Sequence, residues 1–453
     1  MVLPLNLGDR NSLARRLFEA TVGSAGVRVI GMALTFLVGV QLARYLGPAG
    51  YGVYGTVVAI VALLAVPAQL GLPQLLTREI SAYTATGDVQ RAKGALVWFT
   101  AVVCAASATV AAIGWLGLML WPGGTDSAFS RAFLWGLAGV PVTALINLGI
   151  STLRGFQNVI GAQVYDCLVR PGLFAAFLMA AAALLSGIDV GSALALQTLA
   201  GLIALAACAG HVYRRLPRDV VEAAPIRLGR EWIRSAAPMT GTEILRVFDA
   251  HYAVLLLGLL ASIGDVGLFR AALAAAGFVG LPSTIINLVV MPYVANLHAA
   301  GDRVRLQKVA SGAALAMTTI TAAITLVLFM VGEPLLALVF GKSFAPAWLP
   351  LFLMGVAYTL NAFFGSAATM LNMCGHERTV AAAYIASPAL GATLTFTLYG
   401  WLGISAAPVG MIVAELVKGV WMTRTSRRAL GVDPSLAGLL LGVRHVIAKP
   451  GAD

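Results

Sequence analysis

The residues with chemical reach are the few charges that interrupt long apolar runs. Five are basic (Arg28, Arg170, Arg246, Arg270, Lys418) and four acidic (Asp166, Glu243, Asp249, Glu415). Glu243, Arg246 and Asp249 follow one another at i, i+3 spacing, so one helix holds them near one face. Asp166 and Arg170 form an i, i+4 pair, and Glu415 and Lys418 an i, i+3 pair. Those two read as structural ion pairs near the cytoplasmic face, where long side chains can snorkel. Arg28 and Arg270 have no acidic neighbour in sequence. A guanidinium offers a phosphate two parallel hydrogen bonds, so Arg28 and Arg246 are candidate anion-binding residues. For Arg246 the alternative is structural pairing with Asp249 or Glu243. Arg270 is a third substrate-binding candidate, with snorkelling at the outer end as its alternative. Glu243 and Asp249 are candidate proton or sodium sites for coupling, a common use of acids inside a membrane. His251 would titrate near neutrality, but a single histidine reads first as a packed residue.

These side chains need helices to carry them, and composition says which kind. The chain has 453 residues, 59% hydrophobic and 11% charged, with mean hydropathy +0.89. Soluble domains carry about 25% charged residues, so the class is an all-α polytopic membrane protein. About 20 apolar residues cross a bilayer as a helix, and twelve such segments can be read between residues 22 and 422. The net charge of +11 does not point to nucleic acid, because the basic residues lie in short loops between apolar runs. The four cysteines are far apart and form no CxxC pair, so no metal or redox site is expected. The sequence shows no catalytic motif and no soluble domain to hold one, so neither an enzyme nor a cofactor is expected.

Loop charge sets the orientation. With a cytoplasmic N-terminus, twenty-two of the thirty Lys and Arg fall in inside segments and three (Arg44, Arg131, Lys342) outside. That bias predicts both termini in the cytoplasm. The chain also repeats. Tyr51-Gly52-Val53-Tyr54 aligns with Val266-Gly267-Leu268-Phe269, and Pro67 with Pro282, at one offset; Thr86-Gly87-Asp88 aligns with Ala300-Gly301-Asp302 one residue short of it. The reading is two six-helix lobes related by an axis along the membrane normal, as in transporters built from parallel repeats. The expected boundaries are 1–213 for the first lobe, 214–235 for a basic cytoplasmic linker, 236–422 for the second lobe and 423–453 for a cytoplasmic tail. Within the tail, Leu436–Val446 could lie on the membrane, with fraying as the alternative. Such transporters bind substrate between the lobes.

The stretch Leu42-Ala43-Arg44-Tyr45-Leu46-Gly47-Pro48-Ala49-Gly50-Tyr51-Gly52, closed by Gly71-Leu72-Pro73-Gln74-Leu75-Leu76-Thr77-Arg78-Glu79, resembles the polysaccharide transporter family. This is the O-antigen and exopolysaccharide repeat-unit flippase branch of the MOP superfamily, which also holds the MATE drug exporters and lipid II flippases. Asp249 followed by Val266-Gly267-Leu268-Phe269-Arg270-Ala271-Ala272 extends the match, with Phe269 where the family usually has Tyr. The resemblance implies a V-shaped, MATE-like pair of lobes in the bacterial inner membrane. It also implies an undecaprenyl-pyrophosphate-linked oligosaccharide as substrate, and polysaccharide polymerase and chain-length proteins as partners beside membrane lipid. A MATE-type exporter of organic cations is the alternative, weighed down by intrahelical bases that the acids do not outnumber. A membrane-embedded polymerase or ligase ranks lower, because the longest outside loop is only about 332–346.

Overall fold

The computed structural model describes residues 10–120, 128–184, 187–226 and 228–439, and among these it is helical almost throughout with no strand. The first helix, α1 (Arg10–Gln69), is two spans joined at Gly47, whose φ of 64° and ψ of 179° no side-chain-bearing residue adopts readily. Pro48 then starts the second span with no amide hydrogen to satisfy. A second break at Leu70 and Gly71, both with positive φ, separates α1 from α2 (Leu72–Thr86). The single apolar run expected there is therefore divided, and its helix extends past Glu79.

The first half continues through α3 (Val89–Met119), α4 (Ala128–Gly155), α5 (Val159–Val164), a π-helical turn (Tyr165–Val169), α6 (Arg170–Leu184) and α7 (Val190–Arg215). The short α8 (Arg218–Glu222) follows. The connection is tied to α3: Ile226 donates its amide to the Gln90 carbonyl at 3.2 Å, and Lys93 donates to the Val221 carbonyl.

The second half holds α9 (Gly229–Leu260), α10 (Ile263–Ala299), α11 (Arg303–Val339), a 3₁₀ turn (Lys342–Ala347), α12 (Trp348–Phe363), α13 (Ala367–Met373), α14 (Glu377–Leu402), a 3₁₀ turn (Gly403–Ser405) and α15 (Ala406–Leu430). Two expected boundaries move. Helix α9 starts at Gly229, seven residues before the expected start, so Arg246 lies deeper in it. Helix α11 runs to Val339 and absorbs most of the expected 332–346 loop.

The chain is a multi-pass membrane protein. Among the described residues nine stretches are long and apolar enough to cross a bilayer. Two of them are composites: Gly26–Gln69 contains the Gly47 break and Glu377–Leu430 contains the 3₁₀ turn at Gly403. Helix α9 has the length, 32 residues, but Glu243, Arg246 and Asp249 lower its hydropathy.

The internal repeat is visible in three dimensions. Gly87 and Gly301 end their helices with φ of 71° and 68°. Asp88 and Asp302 then cap α3 and α11 by accepting the amides of Arg91 and Arg305, each at 3.0 Å. The halves meet where α1 crosses α10. A Cβ on Gly52 would lie 1.9 Å from the Ile263 carbonyl oxygen, and a Cβ on Gly267 would lie 1.9 Å from the Pro48 carbonyl oxygen. These are equivalent residues of the two repeats contacting each other reciprocally, as at a two-fold interface. Glycine is required on both sides because backbone meets backbone.

The chain after α15 folds back onto the second half. Gln307 accepts the Asp433 amide and donates to the Asp433 carbonyl, both at 2.7 Å, and Leu436 donates its amide to the Phe363 carbonyl at 2.9 Å. The start of the expected tail is thus docked, because Val432 and Asp433 are buried. Most of Leu436–Val446, from residue 440 on, lies outside the described residues.

Candidate functional site

The contact around Gly52 closes the cleft between the halves at one end. Arg270, on α10, reaches across it. Its guanidinium lies 5.7 Å from the Tyr51 ring centroid and 5.3 Å from that of Tyr54, and donates to the Gly55 carbonyl at 3.4 Å. Gly55 makes room: a Cβ there would sit 2.4 Å from Arg270 Cδ. Arg270 therefore does not snorkel outward. The aromatic faces of the other half hold it in place. At the same end Arg44 donates to the Leu338 and Val339 carbonyls at 2.6 and 2.8 Å, satisfying the open carbonyls of α11. Phe36 stacks edge-on against Phe278, with centroids 4.7 Å apart, and extends the seam.

Away from that closure, charges from both halves gather around the π-helical turn. Here α1 crosses at Gly31, where a Cβ would lie 2.6 Å from the Cys167 Cβ. The crossing brings Arg28, one turn earlier on α1, within electrostatic reach of Cys167, as is Arg154. Arg154 faces Asp166 at 3.9 Å. From the other half, Arg246 is close enough to Asp166 for the two charges to interact. Arg28 and Arg246, singled out from sequence, do meet in one region. Arg154 joins them but was assigned from sequence to a loop, since it ends a helix beside Gly155.

Arg246 donates to Glu243, with Nε 3.0 Å from Oε2, and Gln74 of the first half donates to the same carboxylate oxygen at 2.9 Å. Its side chain remains 72% exposed, so guanidinium donors stay open to a ligand. Asp249 is not part of this group. Residues six apart on a helix point about 120° away from each other at 3.6 residues per turn, and Asp249 instead lies among Lys418, Glu415 and Tyr252. Lys418 pairs with Glu415, sits 5.1 Å from the Tyr384 ring centroid, and is only 9% exposed. Asn361 donates to Glu415 at 2.9 Å. The Glu415–Lys418 pair read from sequence is present, but it is buried in the second half and does not snorkel.

The Asp166–Arg170 pair is not formed. Across this π-helical turn Asp166 stays within electrostatic reach of Arg170 but faces Arg154 instead, at 3.9 Å. Arg170 donates to Thr143 Oγ1 at 3.0 Å instead. His251 lies within electrostatic reach of both Arg270 and Arg246. Among the described residues no group of three or more His, Cys, Asp or Glu is placed to hold a metal ion.

Three guanidiniums, from α1, α4 and α9, thus lie about the π-helical turn with the carboxylates of Asp166 and Glu243. That balance suits an anion with several oxygens, such as a pyrophosphate or an acidic sugar.

Residues 21–298 match the family described as polysaccharide biosynthesis protein. No curated protein matches the chain in sequence. Among solved structures the chain is similar to an inward-facing multidrug resistance MATE family transporter of the MOP superfamily, at 16% identity over 90% of this chain and 99% of that one, with a TM-score of 0.73. It is also similar to the lipid II flippase MurJ in an inward closed conformation, at 11% identity over 95% and 93%, with a TM-score of 0.69. A MOP superfamily transporter from Pyrococcus furiosus, described as having a binding pocket of reverse polarity, aligns at 14% identity over 91% and 96%, with a TM-score of 0.62.

Proposed function

The chain belongs to the polysaccharide biosynthesis protein family, and from that premise we propose that it is a flippase for a polyprenyl-pyrophosphate-linked oligosaccharide. The observation that carries the reading is that Arg28, Arg154 and Arg246, from both halves, lie within electrostatic reach of the π-helical turn at Asp166 and Cys167. A pyrophosphate and a sugar chain cannot enter hydrocarbon without partners for their polar groups. Guanidiniums in a wet cleft replace that hydration while the polyprenyl tail stays in the bilayer. Parting of the halves at the Gly52–Gly267 contact, with closure at the opposite end, would expose the cleft to either side in turn.

With the composite spans divided at Gly47 and Gly403, and α9 included, the count becomes twelve, six per half. The family points to the bacterial inner membrane, and the positive loops favour both termini in the cytoplasm. The closure at Arg270 then faces outward and the arginine group faces the cytoplasm, where the substrate is loaded. Glu243 and Asp249 are the proposed proton or sodium coupling positions. Polymerase and chain-length proteins would receive the flipped unit for O-antigen or exopolysaccharide synthesis. A MATE-type cation exporter is less well supported, because the buried Lys418 already neutralises Glu415 near Asp249.

The test is transport in liposomes with a fluorescent undecaprenyl-pyrophosphate oligosaccharide on one leaflet, for the wild type and for Arg246→Ala and Arg28→Ala. The expected result is wild-type translocation that falls at least tenfold in each variant, for the loss of charge-assisted bonds worth roughly 1.5–3 kcal/mol. Wild-type protein that flips no such lipid, with or without a proton or sodium gradient, would sink the proposal.

A further inference from the structure

A second cationic site lies inside the first half, away from the cleft. The second span of α1 packs with α4, α6 and α7 around a cavity of about 230 Å³. Its apolar wall includes Val58 and Ala62, and no acid lines it. Its polar groups are Arg170, Thr143, Gln197 and Thr198.

Arg170 stands eleven residues into the span Val159–Leu184, about 16 Å deep at 1.5 Å per residue and so near the centre of a ~30 Å hydrocarbon layer. A guanidinium at that depth needs a counter-charge. Among the described residues none is within ion-pairing distance. The nearest acid in sequence, Asp166, acts on Arg170 only at longer range and turns to Arg154 at 3.9 Å, and among the described residues the hydrogen-bond partner of Arg170 is the Thr143 hydroxyl.

The neighbouring groups are set as donors. Thr143 accepts from Arg170, which leaves its own O–H to give. Tyr54 donates to Gln197 Oε1 at 3.0 Å, which occupies the amide's acceptor and leaves its NH₂ for the cavity. Thr198 has already given its hydrogen to the Trp135 carbonyl at 3.2 Å. Guanidinium, amide and hydroxyl donors around a space with no acid describe a host for an anion.

We infer that this cavity binds a small inorganic anion of the halide class, held by Arg170, Gln197 and Thr143. The anion supplies a counter-charge in direct contact, which no acid among the described residues makes with Arg170. The site goes beyond the flippase reading and does not depend on it. Tyr54 links it to the closure, since the same ring that orients Gln197 lies against Arg270.

The experiment uses the full chain in detergent and reads melting temperature as potassium bromide replaces potassium gluconate at fixed ionic strength and pH. A ligand that binds only the folded state raises the melting temperature saturably. Wild type is expected to gain a few degrees. Arg170→Gln removes the cation. Gln197→Glu installs a carboxylate beside Arg170 and keeps the fold even where Arg170→Gln does not. Both curves are expected to be flat in bromide, and crystals grown in bromide are expected to show anomalous density beside Arg170 in the wild type alone. A flat wild-type curve, or a bromide response that survives in Gln197→Glu, would overturn the assignment.

Discussion

Replacing Gly52 with alanine should open the closed end of the molecule. The added Cβ would lie 1.9 Å from the Ile263 carbonyl oxygen and 3.0 Å from the Gly267 nitrogen, and backbone atoms on α10 cannot rotate away. The halves must part by about 1 Å or more to reach the shortest contacts that real Cβ atoms make. Over-packing of this kind costs roughly 1–3 kcal/mol, and only where the halves touch. The better helix propensity of alanine, about 1 kcal/mol, acts equally on the closed and opened forms, because α1 is helical in both, and cancels. The steric term alone shifts the opening equilibrium by roughly 5- to 140-fold at 1.4 kcal/mol per decade. The assay is a distance distribution between spin labels at Leu120 and Leu338, one in each half and both exposed (77% and 74%), with Cys104, Cys167, Cys208 and Cys374 replaced. Gly52→Ala should transfer population to longer distances. Gly267→Ala should do the same, because its Cβ would meet the Pro48 carbonyl oxygen at 1.9 Å. Gly277→Ala, on the same helix but with nothing within 4 Å, is the control for propensity alone. Distributions in Gly52→Ala and Gly267→Ala that match Gly277→Ala would refute the idea that this crossing is the closed contact.

Glu415→Gln should leave the buried Lys418 without its counter-charge and cost about 3–5 kcal/mol, seen as a lower melting temperature that adding Lys418→Met largely restores; equal losses in the single and double variants would count against the pairing. Asp189 caps α7 through a reciprocal pair with Ser192, and these bonds hold its carboxyl below the usual carboxylate range. Its stabilisation is present above the unfolded value near 4 and lost as pH falls through the lower folded value. Asp189→Ala should therefore cost about 1 kcal/mol at pH 7, and the gap to wild type should close in strong acid, as measured by melting temperature across pH. A gap that widens in acid would reverse the sign of the argument.

The local devices of this fold are legible in the chain. Gly47-Pro48 announces a break, since only glycine takes that backbone and proline needs no donor. The Gly-Asp turns at 87–88 and 301–302 mark repeated caps. The candidate site was less legible. Arg154 sits at a helix end, where a loop charge looks the same as a cleft charge until α1 is laid across it. The Asp166–Arg170 spacing suits an ion pair, but Asp166 turns to Arg154 on the neighbouring α4, which spacing along one helix does not show. Tyr51 and Tyr54 align with Val266 and Phe269 of the repeat, and nothing in that alignment says that Arg270 reaches back to them.

The sequence by itself determined the class, the presence of long apolar helices, the internal repeat and which charges interrupt the apolar runs. Each of these follows from run length, composition or a constant offset, and all are properties of neighbours along one chain. The tertiary structure alone decided which charges share a space: Arg246 with Glu243 and Gln74, Asp249 with Lys418, Arg170 with an empty cavity wall, Arg270 with two tyrosines. The reason is rotational. Spacing along a helix sets the angle between its own side chains, but the face each helix turns to its neighbours depends on crossing points, here fixed by backbone contact at Gly31, Gly52 and Gly267.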